Sequence, residues 1–203
     1  MDLFSSEDST EKIKLDLPDS DISYFPHFFS SEKASDYFKV LKSETEWQQD
    51  TITLYGKTYP QPRLTALYGD NEKHYTYSGI TMFPKPFSST LLEIKSKIEV
   101  VSETKYNVVL LNLYRHGNDS IGWHSDDEKE LGKNPNIASV SFGVERIFHL
   151  KHKKDNSLRH RIHLASGSLL IMKGVTQHFW QHQIPKSKKV TQARINLTFR
   201  VIK

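Results

Sequence analysis

Beyond Lys105 the chain is cut into short runs rich in β-branched and aromatic residues, each closed by a turn signal. Strands are predicted over residues 106–114, 137–142, 145–151, 160–164, 168–173, 177–182 and 193–201. Gly132-Lys133-Asn134-Pro135, Lys154-Asp155-Asn156 and Ser166-Gly167 punctuate them. Many short strands with turn residues between them favour a double-sheet jelly roll or a barrel over a parallel sheet. No internal repeat and no glycine-rich phosphate loop is found. The expected fold class is mainly β with flanking helices (α+β).

The helices lie upstream. Residues 1–21 are polar, acidic and aperiodic, and are expected to be mobile. The composition turns apolar from Ile22 through Tyr24-Phe25-Pro26-His27-Phe28-Phe29. Ser30 or Ser31 can then cap a helix whose apolar residues Ala34, Tyr37, Phe38 and Leu41 recur at i, i+3, i+4 and i+7. Thr51 to Tyr59 reads as a hairpin turning at Gly56, with Leu54, Tyr55 and Lys57 around its tip. Large apolar groups at an exposed tip fit a wedge entering a base stack, or a tyrosine folded back onto its own sheet. Arg63 follows Pro60 and Pro62. Tyr75 and Tyr77 share one face of a strand, suited to stacking on a nucleobase and equally to a sheet core. Thr90-x-x-Glu93 has the capping-box pattern and opens a second helix with the stripe Leu91, Ile94, Ile98 and Val101.

At 203 residues and 23.6 kDa the chain is one domain with room for a real core, drawn as 22–203 behind the acidic segment 1–21. No apolar run approaches the ~18 residues of a membrane span, and MDLFSSEDSTEK lacks the apolar stretch of a secretory signal. An intracellular monomer without a membrane partner is expected, cytoplasmic or, in a eukaryote, nuclear. Cysteine is absent, which excludes disulfides and cysteine-zinc sites, so any metal must be held by histidine and carboxylate. The net charge of +4 conceals an asymmetry: residues 1–21 hold seven acids and two lysines, a balance of −5, leaving about +9 on the rest. A basic body fits a polyanionic partner such as nucleic acid, and fits a lysine-rich surface as well. Lys57, Lys85, Lys151, Lys153, Lys154, Arg159, Arg161, Lys186, Lys188 and Lys189 are the phosphate-contact candidates.

Two stretches carry chemistry. A strand-like run from Val108 to Tyr114 feeds a Gly/Asn/Asp turn that delivers His124 and Asp126 two positions apart. In extended chain such side chains share a face, so an imidazole and a carboxylate can grip one ion. Alone, the pair reads first as an ordinary turn. With His182 as the distal third ligand it becomes the two-histidine, one-carboxylate set of non-haem Fe(II) oxygenases. Further on, Arg194, Asn196, Thr198 and Arg200 alternate with Ile195, Leu197, Phe199 and Val201. This is either a surface strand with a polar outer face or a wall bearing two guanidiniums, groups that grip a carboxylate bidentately. A metal plus a carboxylate clamp implies a small dicarboxylate held between them.

Taken in order, Asn112-x-Tyr114, His124-x-Asp126-Asp127-Glu128, the distal His182 and Arg194-x-Asn196-x-Thr198-x-Arg200 resemble the AlkB-type Fe(II)/2-oxoglutarate dioxygenases. The chain is most similar to members that repair alkylated bases in duplex DNA. Pro62-Arg63, Tyr68-Gly69-Asp70, Tyr75-Thr76-Tyr77-Ser78-Gly79, the run from Ile137 to Gly143 and Gly167-Ser168-Leu169-Leu170 extend the resemblance from about Tyr24 to Lys203. It implies a double-stranded β-helix (jelly roll) core over 106–203, with helices and an N-terminal nucleotide-recognition lid in 22–105.

The resemblance also implies Fe(II) on His124, Asp126 and His182, with O2 as oxidant. Asn112, Tyr114, Arg194, Thr198 and Arg200 would hold 2-oxoglutarate. Asp127, Tyr75 and Tyr77 would line a base pocket with the His124 ring as one wall, and Leu54, Tyr55 and Gly56 match a finger that fills the gap left by a flipped base. Arg63 would lie near phosphate or the pocket rim. Tyr55 and Tyr77 stand where duplex-repairing relatives commonly have Phe, which bears on strand preference. His178 would share a strand face with His182, but the spacing of His182 to Arg194 fits the family. His149, His152, His160 and His163 sit among Lys and Arg, fitting phosphate contact or plain surface better than zinc. The implied activity is oxidative demethylation of N-alkylated bases of the 1-methyladenine and 3-methylcytosine type in single- or double-stranded DNA. It proceeds by base flipping and releases formaldehyde and succinate. The same chemistry on RNA or protein, and a non-catalytic nucleic-acid-binding module, are the alternatives.

Overall fold

A computed structural model describes residues 11–54, 56–70, 75–77 and 80–203, and gives the backbone alone for 53–54, 75–77 and 80–82. The chain begins with β1 (Ile13–Lys14), β2 (Asp21–Phe25) and α1 (Ser31–Glu44). Hairpin β3 (Thr51–Leu54) and β4 (Lys57–Pro60) precedes β5 (Leu64–Gly69); hairpin β6 (Tyr75–Tyr77) and β7 (Ile80–Met82) precedes α2 (Ser89–Ser102). Then come β8 (Val108–Tyr114), β9 (Ile121–His124), β10 (Ile137–Gly143), β11 (Arg146–His152), β12 (Arg159–Leu164) and β13 (Ser168–Lys173). A single helical turn, α3 (Thr176–Phe179), leads into β14 (Trp180–Ile184) and β15 (Arg194–Arg200).

Seven strands form one sheet in the order β1-β2-β13-β10-β15-β8-β5, and four form a second in the order β12-β11-β14-β9. The pairings within both are antiparallel, and sequence neighbours are mostly separated in space, which makes the two-sheet jelly roll expected from the strand spacing. Helices cover one face of the large sheet. There Ile195, Leu197 and Phe199 pack with Val109, Leu111 and Leu113, with Tyr37 and Leu41 of α1 and with Leu91, Ile94 and Ile98 of α2. The other face meets the small sheet, where Val108, Leu110, Leu170 and Met172 pack with Phe148, Leu150, Ile162 and Trp180. Each fully buried side chain of this size contributes about 1.5–3 kcal/mol. Strand β15 is buried along its whole length, so its polar face looks between the sheets and not into solvent.

Three expectations need correction. Residues 11–21 belong to the fold: Ile13 pairs with Tyr24, Leu15 and Leu17 join the inter-sheet core, and the Trp180 indole donates to the Pro18 carbonyl at 2.9 Å. A two-residue strand has no periodicity to read. Next, α2 is capped by Ser88, which accepts from the Leu91 N–H at 3.3 Å, two residues before the predicted Thr90. Glu93 instead accepts from the Tyr37 hydroxyl at 2.7 Å and joins the two helices. Finally, residues 22–105 do more than flank the core, because β2 and β5 are strands of the large sheet. The cap of α1 is Ser30, as one of the two expected serines.

The turn from β8 to β9 is locked at Gly117. Its N–H donates to the Val190 carbonyl and its carbonyl accepts from the Ser187 N–H, both at 2.8 Å. A Cβ there would stand 1.8 Å from the Ser187 oxygen, so only glycine lets the β14–β15 loop close on this turn.

Candidate metal centre and its cavity

His124 closes β9 and His182 lies on β14, in direct register across the small sheet. Their rings meet edge to face with centroids 4.2 Å apart. Asp126 sits in the turn beyond β9, with Oδ1 3.8 Å from His124 Nε2. One ligand atom from each of the three lies within 4.8 Å of the others, and no other such group of three occurs among the described residues. His124 Nδ1 is 2.8 Å from the Gly122 carbonyl, which fixes that nitrogen as the donor and turns Nε2 towards Asp126. Phe148 stacks under His182 at 5.0 Å.

The charges suit a cation. Burial alone would raise the Asp126 carboxyl, but the Arg200 guanidinium and the two imidazoles hold it down at about 2. Arg200 Nη2 donates to Asp126 Oδ1 at 2.9 Å. Burial, then the neighbouring His124, pushes His182 down to about 3, and burial also lowers His124. Ionised carboxylate beside neutral imidazoles is the protonation state that metal ligation requires.

The centre opens into a cavity between the sheets, lined also by Asn112, Tyr114, Ser139, Met172, Arg194, Asn196, Thr198 and Arg200. Register explains the gathering: Arg194 lies opposite Tyr114, and Asn196 opposite Asn112 and Ser141. Arg194 is 1 % exposed. Its Nη2 donates to Ser141 Oγ at 2.9 Å and its guanidinium lies 5.2 Å from the Tyr114 ring centre. Nε and Nη1 have no well-formed hydrogen bond among the described residues, with the Tyr114 phenol the nearest acceptor beside the guanidinium. Burial lowers Arg194 to about 10, with the Tyr114 phenol pulling against it. Thr198 Oγ1 donates to Asn196 Oδ1 at 3.1 Å, and Asn196 donates to Ser139.

Arg200, expected among the dicarboxylate ligands, lines the same cavity, with its Nη2 on Asp126. Other candidates fall elsewhere. Arg63, expected near phosphate or the rim, is 5 % exposed and donates Nε to Asn112 Oδ1 at 2.7 Å. The Pro62 carbonyl accepts from the Ser120 N–H at 2.9 Å, which pins this segment to the β8–β9 turn and sends Arg63 inward. His178 is exposed on α3 with Nε2 2.8 Å from Asn134 Oδ1, because the predicted strand at 177–182 starts at Trp180. His149, His152, His160 and His163 form no metal cluster; His152 stacks on Phe179 and accepts from the Asp155 N–H.

Asp127 is exposed and pairs with Lys153 at 3.2 Å. Gly56 turns the first hairpin at φ +76°, a conformation glycine favours. Leu54 ends β3 and Tyr75 and Tyr77 lie on β6; Tyr55 is outside the described residues. Lys151 pairs with Arg159 and His149 with Arg161 across β11 and β12, and the Lys151 ammonium covers the Trp123 ring at 4.5 Å.

Sequence reasoning passed over Glu128. It is half-buried, its Oε2 has no partner, and burial raises it to about 7, with Arg200 opposing. The third acid of the Asp126-Asp127-Glu128 run was the available signal.

A jelly roll that sets two histidines and an aspartate on one side of a point, open to a cavity on the other, defines a non-haem iron oxygenase type of centre. The chain belongs to the 2OG-Fe(II) oxygenase superfamily, which it matches over residues 21–200. It is 45 % identical to "Alpha-ketoglutarate-dependent dioxygenase alkB homolog 3" of Bos taurus over 87 % of this chain and 64 % of that protein. Against the protein of that name in Homo sapiens the identity is 42 %, over 90 % of this chain and 66 % of the relative. "DNA oxidative demethylase ALKBH2" of Homo sapiens is 42 % identical over 86 % of this chain and 70 % of its own length. The chain thus spans less than two thirds of the alkB homolog 3 relatives it matches. The solved structure of OsALKBH1 shares the fold, with TM-score 0.68 at 16 % identity, over 94 % of this chain and 100 % of that one.

The residues fit the groups that the family name specifies. Two neutral imidazoles and one carboxylate suit Fe(II), and two buried, unpartnered N–H groups on Arg194 call for the acceptor oxygens of a carboxylate such as 2-oxoglutarate.

Proposed function

We propose that this chain is a DNA-dealkylating dioxygenase that removes methyl groups from base nitrogens of the 1-methyladenine and 3-methylcytosine type, in single- or double-stranded DNA. The observation that carries the reading is the joint presence, in one cavity, of the His124–Asp126–His182 group and the partnerless donors of Arg194. The name of the alkB homolog 3 relatives supports the cosubstrate, and that of the ALKBH2 relatives supports DNA as the substrate class.

When bound, Fe(II) with 2-oxoglutarate and O2 supplies the oxidation that turns the methyl group into formaldehyde and the cosubstrate into succinate. His124, Asp126 and His182 hold the metal, and Arg200 keeps Asp126 ionised and aimed. Arg194 pairs a cosubstrate carboxylate, with Asn112, Tyr114 and Thr198 beside it. Arg63 ties the Asn112 carbonyl and so turns its amide N–H groups elsewhere. Hairpins β3–β4 and β6–β7 form the nucleotide-recognition lid: Leu54, Tyr55 and Gly56 fill the gap in the stack, and Tyr75 and Tyr77 hold the extruded base. Flipping costs about a few kcal/mol, least for a cationic lesion that pairs badly. Asp127 adds an anionic rim that favours such a base.

The basic edge of Lys151, Arg159 and Arg161 favours nucleic acid over a peptide substrate. The protein works as a monomer inside the cell. The deciding experiment is formaldehyde release from matched single- and double-stranded oligonucleotides carrying one methylated base, with methylated RNA and peptide as controls. Release from DNA that requires Fe(II) and 2-oxoglutarate is expected; release from RNA or peptide alone refutes the substrate. Asp127→Asn should lower turnover of cationic lesions relative to neutral ones, and an unchanged ratio removes Asp127 from the rim.

A further inference from the structure

Asp126 lies two residues past the end of β9, so the sheet ladder does not fix it. Arg200 holds its carboxylate. Its backbone is held separately: the Asp126 N–H donates to Gln177 Oε1 at 2.9 Å. Gln177 is 1 % exposed and sits on α3, the helical turn between β13 and β14. Among the described residues its Nε2 reaches only the Met172 sulfur, at 3.6 Å, a weak acceptor. The Asp126 N–H therefore decides how this amide is turned.

The Gln177 backbone carbonyl accepts from Lys153 Nζ at 2.8 Å, and the same ammonium pairs with Asp127 at 3.2 Å. Asp126, Asp127, Lys153 and Gln177 close a ring of contacts. Its helical side is anchored: Thr176 Oγ1 accepts from the Asp21 N–H at 2.9 Å and donates to the Lys173 carbonyl at 2.5 Å. Five residues after Gln177 comes His182. One helical turn thus joins the loop carrying the aspartate to the strand carrying the second histidine.

We propose that Gln177 is a positioning residue of the metal centre, setting the place of Asp126 relative to His182 through the aspartate's backbone N–H. This rests on reading His124, Asp126 and His182 as the ligands. Without the amide, a buried N–H is left unsatisfied and the turn must shift to find water or another acceptor, carrying the carboxylate with it. Partners that orient a ligand in this way are worth about 10–100-fold in metal affinity.

The test is Mn(II) affinity of the metal-free protein, measured by calorimetry with no turnover, beside thermal melting of the same metal-free samples. Gln177→Ala is expected to weaken Mn(II) binding about 10–100-fold. Gln177→Glu keeps an acceptor oxygen at the same reach and is expected to restore affinity close to the parent. His178→Ala, on the exposed side of the same turn, is expected to leave affinity unchanged. Lys153→Met opens the ring without touching the buried amide and is expected to weaken binding less than Gln177→Ala. Parent-like affinity of Gln177→Ala, or equal loss in the Ala and Glu variants, overturns the proposal. Should Gln177→Ala show no melting transition, Lys153→Met decides, and parent-like affinity there overturns it. A parent that fails to bind Mn(II) overturns the metal-centre reading as well; a parent that binds while the Gln177 variants follow it overturns this inference alone.

Discussion

Arg194→Met should separate stability from cosubstrate affinity. In the parent, two donor groups of a side chain 1 % exposed lack well-formed partners among the described residues. An unsatisfied buried donor costs about 1–3 kcal/mol, so two cost roughly 2–6 kcal/mol. The substitution removes that cost but also removes the charged hydrogen bond to Ser141, about 1.5–3 kcal/mol, and the contact over Tyr114, up to about 2 kcal/mol. The two sums overlap. The cosubstrate-free variant should therefore unfold within about 2 kcal/mol of the parent, where breaking a paired buried charge would cost about 3–5 kcal/mol. Affinity behaves differently. A carboxylate gripped by two charge-assisted hydrogen bonds gains roughly 3–6 kcal/mol, and each 1.4 kcal/mol is about tenfold, so the KM for 2-oxoglutarate should rise at least about 100-fold. Urea denaturation of metal-free protein and succinate formation against 2-oxoglutarate concentration read the two quantities. A variant several kcal/mol less stable with an unchanged KM would refute the clamp.

The remaining predictions concern pH, salt and packing. His182 folded near 3 against about 6.5 unfolded, with His124 also lowered, means the folded state binds fewer protons across that window, so stability is complete above about 6.5 and falls on acidification. Glu128, raised to about 7, acts in the opposite sense between about 4.3 and 7, so Glu128→Gln should steepen the loss by about 1 kcal/mol per pH unit in denaturation of metal-free protein; an unchanged profile would count against both assignments. Oligonucleotide affinity should fall linearly in log–log plots against salt, and Lys151→Ala and Arg161→Ala should each reduce the slope by about 1; an unaltered slope places phosphate elsewhere. Gly117→Ala should cost about 3 kcal/mol or more, although no candidate ligand is touched, because its Cβ would overlap the Ser187 carbonyl; normal melting would show that the loop yields.

Much of this architecture could be read from the residues, and the misses share a cause. Strands β8, β10 and β13 were legible because long apolar runs between turn residues leave few other folds. The three residues now seen clustered, His124, Asp126 and His182, came from motif order rather than from local pattern, since His124 and Asp126 alone also describe a common turn. The polar alternation of β15 was readable, but whether Arg194 faced water or the interior depended on a second sheet that no local window contains. The partners of Arg63, Arg200 and Gln177 could not be read for the same reason: they lie 49, 74 and 51 positions away. β1 and α3 were too short to carry a period.

The placement of β15 has a consequence for how this enzyme class can change what it accepts. The strand is a shared partition: one side is the floor of the reaction chamber, the other the ceiling of the helix-packed interior, and neighbours flank it on both edges. Such a partition cannot bend for a larger guest without disturbing the whole body. The hairpins β3–β4 and β6–β7 are separate two-stranded sheets outside this partition, so they can be redrawn while the chamber floor stays as it is.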